Sequence, residues 1–317
     1  MKLIIQIPCY NEEKTLPLTF SELPRQINGI DEIEYLIIND GSDDRTVEVA
    51  RELGIHHVIS FPKNKGLAKG FMAGLDASLR LGADIIVNTD ADNQYAGADI
   101  EKLVEPILKG EAELVVGDRQ TNGIHHFSWF KKRLQRWGSW VVRHVSDTSV
   151  PDATSGFRAL SREAALQMNV VSEFTYTLET IIQAGKKNLA ISHVPIRTNG
   201  KLRESRLFRG NWSYIKRSIG TIARIYTMYE PLRMFSFIGA ILFGLGLLIG
   251  LRFVYFYITS GGAGHIQSLI LTAVLLIVGF QVFVFGLMAD MIGSNRRLIE
   301  DALYRLKKME HSGSSGK

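Results

Sequence analysis

Two carboxylates stand two residues apart in Asp90-Ala91-Asp92-Asn93-Gln94, directly after the strand-like run Ile85-Ile86-Val87-Asn88-Thr89. At a strand end such a pair can address one hard cation, and Gln94 offers a further oxygen. Oxygen donors favour Mg²⁺ or Mn²⁺ over zinc. Alone, so short an acidic cluster fits a solvated loop equally well. It is not alone. Pro8-Cys9-Tyr10-Asn11-Glu12-Glu13 and Asn39-Asp40-Gly41-Ser42-Asp43-Asp44 also close apolar runs. Tyr10 could cover a nucleotide base, and Asp40 could accept its N–H groups. Asn64-Lys65-Gly66-Leu67-Ala68-Lys69-Gly70 opens a helical pattern, where backbone amides favour an anion. Arg119 follows the run Glu113 to Asp118, and Arg133 lies in the helical pattern Phe127 to His144. Lys201, Arg203 and Arg206 share a polar stretch. Guanidinium forks suit phosphate oxygens, although any one of these side chains is equally a solvated surface group.

Other chemistries lack their residues. No Gly-x-x-x-x-Gly-Lys-Ser/Thr is present, and no Gly-x-Gly-x-x-Gly follows the first strand, which argues against a dinucleotide cofactor. The one cysteine, Cys9, excludes an intramolecular disulfide and a multi-cysteine zinc site. His125, His126 and His144 form no convincing metal set.

The elements that must position these residues follow from the hydrophobic pattern. Runs at Met1 to Pro8, Glu34 to Asp40, His57 to Phe61, Ala83 to Asp90, Glu113 to Asp118 and Leu189 to Ile196 read as strands. Helical patterns lie between several of them, at Val47 to Leu53, Gly66 to Leu81 and Asp99 to Leu108. Strand alternating with helix predicts a three-layer α/β domain with a mostly parallel sheet, with ligands at the carboxyl ends of its strands.

The last third differs. Met234 to Leu251 and Ile266 to Ala289 carry no charged side chain, and each approaches the roughly 20 residues a bilayer span needs. They predict a transmembrane hairpin over 232–290, with Gly246 and Gly250 available for close helix approach. Residues 208–231 form an aromatic-rich basic amphipathic pattern suited to the membrane interface. Residues 291–317 read as a basic tail whose end, from His311, is flexible or a cloning remnant. The N-terminal apolar run is too short for a signal peptide. Arginine and lysine flank both outer ends of the hairpin while its loop has none, so the positive-inside rule places both termini and the α/β domain in the cytoplasm. The remaining 1–207 is the soluble-type domain. With 46% hydrophobic and 22% charged residues, a chain of 317 residues can bury a sizeable core.

Taken together, Pro8-x-Tyr10-Asn11-Glu12, Asn39-Asp40-Gly41-Ser42-x-Asp44, Asp90-x-Asp92-x-Gln94, Gly117-x-Arg119 and Ser155-Gly156-Phe157-Arg158 resemble, in order, the motifs of family 2 glycosyltransferases. With Gln94 and the hairpin, the set resembles the polyprenyl-phosphate glycosyltransferases of the dolichyl-phosphate mannose synthase type. The match covers roughly residues 2–207. The resemblance implies a GT-A fold, a UDP- or GDP-linked sugar donor, Mg²⁺ or Mn²⁺, and inversion at the anomeric carbon. It implies that Pro8, Tyr10, Asn11, Glu12, Asp40, Lys69, Asp90 and Ala91 hold the nucleotide and that Asp92 and Gln94 bind the metal. Asp90, Asp92 and Arg119 would form the catalytic centre. Arg119, Arg133, Lys201, Arg203 and Arg206 would receive the acceptor phosphate, although the family pattern around 201–206 differs in detail.

A phosphate monoester is largely dianionic at pH 7 and can attack without a protein base, so no general base is nominated. The leading expectation is transfer of one sugar to undecaprenyl or dolichyl phosphate at the cytoplasmic membrane face. The alternatives are a processive polysaccharide synthase and a non-catalytic membrane scaffold that binds nucleotide sugars. Two spans make no obvious polymer channel, and intact Asp90, Asp92 and Gln94 argue against the scaffold. Homo-oligomerisation is left open, and nothing points to nucleic acid.

Overall fold

The structure, a computed structural model, describes residues 1–120, 140, 143, 148–171, 176–200, 220, 223, 224, 226–261 and 266–312. The chain divides into two compact units, Met1–Ser218 with Glu300–Lys317, and Ile219–Ile299.

The first unit is built on seven strands: β1 Lys2–Cys9, β2 Glu32–Asn39, β3 His57–Ser60, β4 Ile85–Asn88, β5 Leu114–Asp118, β6 Arg158–Ser161 and β7 Ile191–Pro195. Their order across the sheet is β3-β2-β1-β4-β6-β5-β7. All pairings are parallel except those of β6, which runs antiparallel to β4 and β5. Alternation of apolar and polar residues is absent from the centre: Leu3, Ile4, Ile5 and Ile7 of β1 are all fully buried. A central strand covered on both faces reads as a continuous apolar run, not an alternating one.

Helices cover both faces. On one, α1 Leu16–Glu22, α2 Thr46–Glu52 and α4 Ile100–Leu108 pack Phe20, Ala50, Leu103 and Ile107 against Ile5, Ile37 and Val87. On the other lies α3 Leu67–Arg80, whose Gly70 and Gly74 approach Ile38 and Gln6. The remaining helices of this unit are α5 Arg162–Gln167 and α6 Thr177–Lys186. The expected strands and the helices at 46–52, 67–80 and 100–108 are all present. The sequence pattern missed α1, α5 and β6, each no longer than seven residues. Helix α2 is stopped at Gly54, which takes φ 71°. At its start, Asp44 accepts the Thr46 N–H at 3.0 Å.

The apolar third forms α7 Pro231–Ser260 and α8 Ile266–Ser312, both long and apolar enough to cross a membrane. Glycines bring them together. A Cβ at Gly250 would lie 2.9 Å from Thr272 Cγ2, and one at Gly246 would lie 3.0 Å from Leu275 Cβ. A Cβ at Gly239 would lie 2.9 Å from the Gly279 carbonyl oxygen. Helix α8 does not stop at residue 290. It continues through the segment read as a tail, where Glu300, Tyr304, Lys307 and His311 recur at helical spacing. Tyr304 bonds Glu163, Lys307 Nζ donates to the Met168 carbonyl at 2.9 Å, and Glu300 pairs with Lys187. His311, expected in a flexible end, is therefore a buried helical residue at 2% exposure. The amphipathic pattern at 208–231 lies mostly outside the described residues.

Candidate active site

The carboxyl ends of β1, β2, β4 and β5 share one edge of the sheet, and the chain reverses its direction of winding between β1 and β4. Such a switch point is where open α/β sheets bind ligands. Pro8 to Glu12 leave β1 there, Asp40 leaves β2, Asp90 to Gln94 leave β4 and Arg119 leaves β5. Because β6 is antiparallel, its preceding turn, Ser155-Gly156-Phe157, arrives at the same edge. The motifs separated in the sequence thus converge.

In the loop after β4, Asn93 adopts a left-handed conformation, φ 54°, which asparagine tolerates better than most residues. Asp92 and Gln94 meet on either side of it. Asp92 Oδ1 accepts the Gln94 backbone N–H at 3.2 Å, and Asp92 Oδ2 accepts Gln94 Nε2 at 2.6 Å. Burial, reinforced by the Asp92 charge, pushes the Asp90 carboxyl up to about 7, against the opposing pull of Arg119. A divalent cation relieves the repulsion between two such carboxylates. Among the described residues there is no group of three His, Cys, Asp or Glu side chains set to hold a metal. The oxygens available from Asp92 and Gln94, beside the Asp90 carboxyl, are hard donors of the kind that fit Mg²⁺ or Mn²⁺. A half-turn of the Gln94 amide presents Oε1 where Nε2 now stands.

The nucleotide-side candidates form a bonded cluster. Asn11, also left-handed at φ 56°, donates its N–H to Ser42 Oγ and accepts the Asp43 N–H on Oδ1 at 2.8 Å. The buried Glu12 takes the Thr15 hydroxyl at 2.6 Å. Tyr10 stays 37% exposed at the end of β1, beside Pro8. Both carboxylate oxygens of Asp40 accept backbone N–H groups, from Lys65 at 2.6 Å and Gly66 at 2.9 Å, and so tie β2 to the start of α3. Lys69 is exposed on the first turn of α3. Ala91 is buried, its carbonyl accepting the Thr19 hydroxyl at 3.0 Å.

Arg119 is not a free side chain. Its Nε and Nη2 donate to the two oxygens of Asp152 at 2.6 and 2.9 Å, and Nη2 also reaches Thr154 Oγ1 at 2.7 Å. Burial works to lower the guanidinium pKa, but Tyr95, Asp152 and Asp90 together hold it above its ordinary value. Asp152 is held below the usual carboxylate range by Arg119, although burial opposes this. Neither Asp152 nor Thr154 was singled out in the sequence. They follow no periodic pattern, and the partner that gives them meaning is 33 or more residues away.

The turn 155–157 is held just as firmly. Asn88 Nδ2 donates to the Gly156 carbonyl and to Tyr176 Oη, both at 2.9 Å, and the Gly156 N–H donates to Tyr95 Oη at 3.1 Å. A Cβ on Gly156 would lie 2.9 Å from Tyr176 Oη and 3.3 Å from Asp90 Oδ2, so glycine is required for this close approach. Arg158 is fully buried and donates to the carbonyls of Ser155 and Ala153 and to Thr180. Desolvation lowers its pKa to about 10. Its role is to brace the turn from behind. Glu179, also fully buried, accepts the Val171 N–H. Arg133, Lys201, Arg203 and Arg206 lie outside the described residues.

Residues 4–167 match the family model for glycosyl transferase family 2. The chain belongs to glycosyl transferase family 2. Within the family it is similar to a UDP-N-acetylglucosamine–dolichyl-phosphate N-acetylglucosaminyltransferase of Methanococcus voltae, at 33% identity over 61% of this chain and 83% of the relative. It is also similar to a prophage bactoprenol glucosyl transferase homologue of Escherichia coli K12, at 25% identity over 92% of this chain and 94% of the relative. The fold is shared with glucosyl-3-phosphoglycerate synthase of Mycobacterium tuberculosis, solved with Mn²⁺, UDP and phosphoglyceric acid. The TM-score is 0.56 at 20% identity, over 71% of this chain and 78% of that one. The glycosyltransferase therefore has a GT-A-type domain followed by two long apolar helices.

Proposed function

We propose that this glycosyltransferase moves a single sugar from a UDP- or GDP-linked donor to a polyprenyl phosphate, with inversion at the anomeric carbon. One observation carries the reading. The similarity to the bactoprenol glucosyl transferase homologue runs over 92% of the chain, far enough to include apolar helices as well as the catalytic domain. The acceptor is thus read from the whole architecture, not from the sheet edge alone.

On this reading Pro8, Tyr10, Asn11, Glu12, Asp90 and Ala91 bind the nucleotide, with the exposed Tyr10 placed to stack on the base. Asp40 orders the start of α3 and with it Lys69, whose ammonium faces the diphosphate. Asp92 and Gln94, beside Asp90, would hold Mg²⁺ or Mn²⁺, which when bound would neutralise charge on the departing nucleoside diphosphate. Arg119, steered by Asp152, receives the acceptor phosphate, together with Arg133, Lys201, Arg203 and Arg206. The phosphate oxygen forms the new bond to the anomeric carbon as the bond to the donor diphosphate breaks. A dianionic phosphate needs no proton removed, so no protein base is assigned to this step. The catalytic domain and both termini face the cytoplasm, as the charge flanking the hairpin argues.

Membranes carrying the protein are to be incubated with a panel of radiolabelled UDP- and GDP-sugars and either undecaprenyl or dolichyl phosphate. The reading expects one donor to yield an organic-extractable lipid-linked label, abolished by EDTA and restored by Mg²⁺ or Mn²⁺. Label that stays entirely water-soluble, or full transfer in metal-free buffer, contradicts it.

A further inference from the structure

Glu22 belongs to none of the motifs, yet it ends α1 against the loop that carries Asp92 and Gln94. One of its carboxylate oxygens, Oε1, accepts Asn93 Nδ2 at 3.0 Å. The other, Oε2, accepts Asn199 Nδ2 at 2.9 Å. Asn93 is the left-handed residue between the two metal-side residues, it is 4% exposed, and its Oδ1 has no partner among the described residues. The bond to Glu22 is therefore the side-chain hydrogen bond that holds it there. Asn199 returns along the same loop. Its N–H donates to the Gln94 carbonyl at 2.9 Å, the Ala96 N–H donates to the Arg197 carbonyl at 3.3 Å, and Tyr95 and Thr198 form an antiparallel bridge. The backbone is fitted to Glu22 as well, because a Cβ on Gly97 would lie 2.5 Å from the Glu22 carbonyl oxygen.

We propose that Glu22 is a positioning residue: its two carboxylate oxygens staple the left-handed Asn93 to Asn199, and so hold Asp92 and Gln94 in the arrangement that a divalent cation needs. The proposal rests on the reading of Asp92 and Gln94 as metal-binding. Asparagine at φ above zero is tolerated, not preferred, so a loop freed of Glu22 populates other conformations in which Asp92 and Gln94 separate. Outer partners that orient metal-binding groups are commonly worth about ten- to a hundredfold in metal affinity. Gly97 supplies the second requirement, the close approach that lets Glu22 reach Asn93.

The test uses the full chain in detergent and Mn²⁺ alone, with free Mn²⁺ read by electron paramagnetic resonance. Glu22→Ala should weaken Mn²⁺ binding about tenfold or more. Glu22→Gln, which keeps one acceptor oxygen, should fall between Glu22→Ala and the unaltered protein. Gly97→Ala should weaken binding in the same direction by displacing Glu22. Asn93→Gly keeps the left-handed backbone without a side chain to hold, so adding Glu22→Ala to it should cost about twofold or less. A merely structural Glu22 would lower the melting temperature and leave the Mn²⁺ affinity of the folded fraction unchanged. Asp92→Ala separates the two levels. If it abolishes binding while Glu22→Ala and Glu22→Gln bind Mn²⁺ as the unaltered protein does, the proposal is overturned and the metal assignment stands. If Asp92→Ala itself binds normally, the metal assignment fails and the proposal falls with it.

Discussion

Asp90 and Arg119 show how far a side chain's role depends on what stands beside it. Asp90 is raised to about 7 by burial and by Asp92, so at neutral pH its ionisation opposes folding of the metal-free protein. For an acid whose folded value is raised, stability is lost as pH climbs from about 4 to about 7. Asp90→Asn removes that loss. We expect it to raise the melting temperature of EDTA-treated protein at pH 8 while abolishing transfer; an unchanged or lower melting temperature would contradict the burial argument. Arg119 is the complementary case. Asp152→Ala would leave a largely buried guanidinium unpaired, at a cost on the order of 3 kcal/mol in chemical denaturation. Arg119→Ala should impair the kinetics toward lipid phosphate more than it weakens nucleotide-sugar binding measured by calorimetry. Equal kinetics would remove Arg119 from the acceptor side. Asp90, Asp92 and Arg119 were legible in the sequence because each follows an apolar run that had to be a strand. Asp152, Thr154 and Glu22 were not, since their meaning lies in partners that only the tertiary fold brings near.

Among the elements, β6 was the least legible. Four residues beginning with an arginine do not look like a buried strand, and Ser155 to Arg158 stood out in the sequence only as a motif. Arg158 faces inward and spends its donors on the turn's own carbonyls. The antiparallel insertion is what brings Gly156 to Asp90. The long strands β1 and β2 were plain because fully buried parallel strands leave continuous apolar runs. The segment 197–199 was also invisible, and it depends on Asp99. This fully buried carboxylate faces a burial penalty, but the Arg197 and Lys102 bonds overcome it and hold it down to about 2. A depressed acid stabilises the fold above its unfolded value near 4, and that contribution is lost as pH falls toward 2. Asp99→Asn should therefore cost about 2 kcal/mol at pH 7 and flatten the loss of stability between pH 4 and pH 2. An identical acid-side slope in the variant would show that Asp99 is not the group responsible.

At the scale of the whole molecule, each unit matches a different demand of the proposed chemistry. The GT-A-type unit presents a cluster of carboxylates and arginine at its sheet edge, which the proposed function assigns to a nucleotide sugar and a phosphate. The second unit is a pair of helices with apolar exteriors and a glycine seam, as expected of a hairpin in lipid. The two long apolar helices were readable from composition alone, because their length and apolarity are those a bilayer span needs. The extension of α8 to Ser312 was not, since its contacts to Glu163, Met168 and Lys187 are polar and look like an ordinary charged tail. The proposed function draws on both units: one sugar, one lipid phosphate, no polymer. The mass of the lipid product decides this. After reaction of the purified full chain with its preferred nucleotide sugar and a short-chain polyprenyl phosphate, a single new species is expected, heavier than the acceptor by one sugar residue. A ladder of heavier species, or an acceptor left unmodified while the donor is consumed, would contradict it.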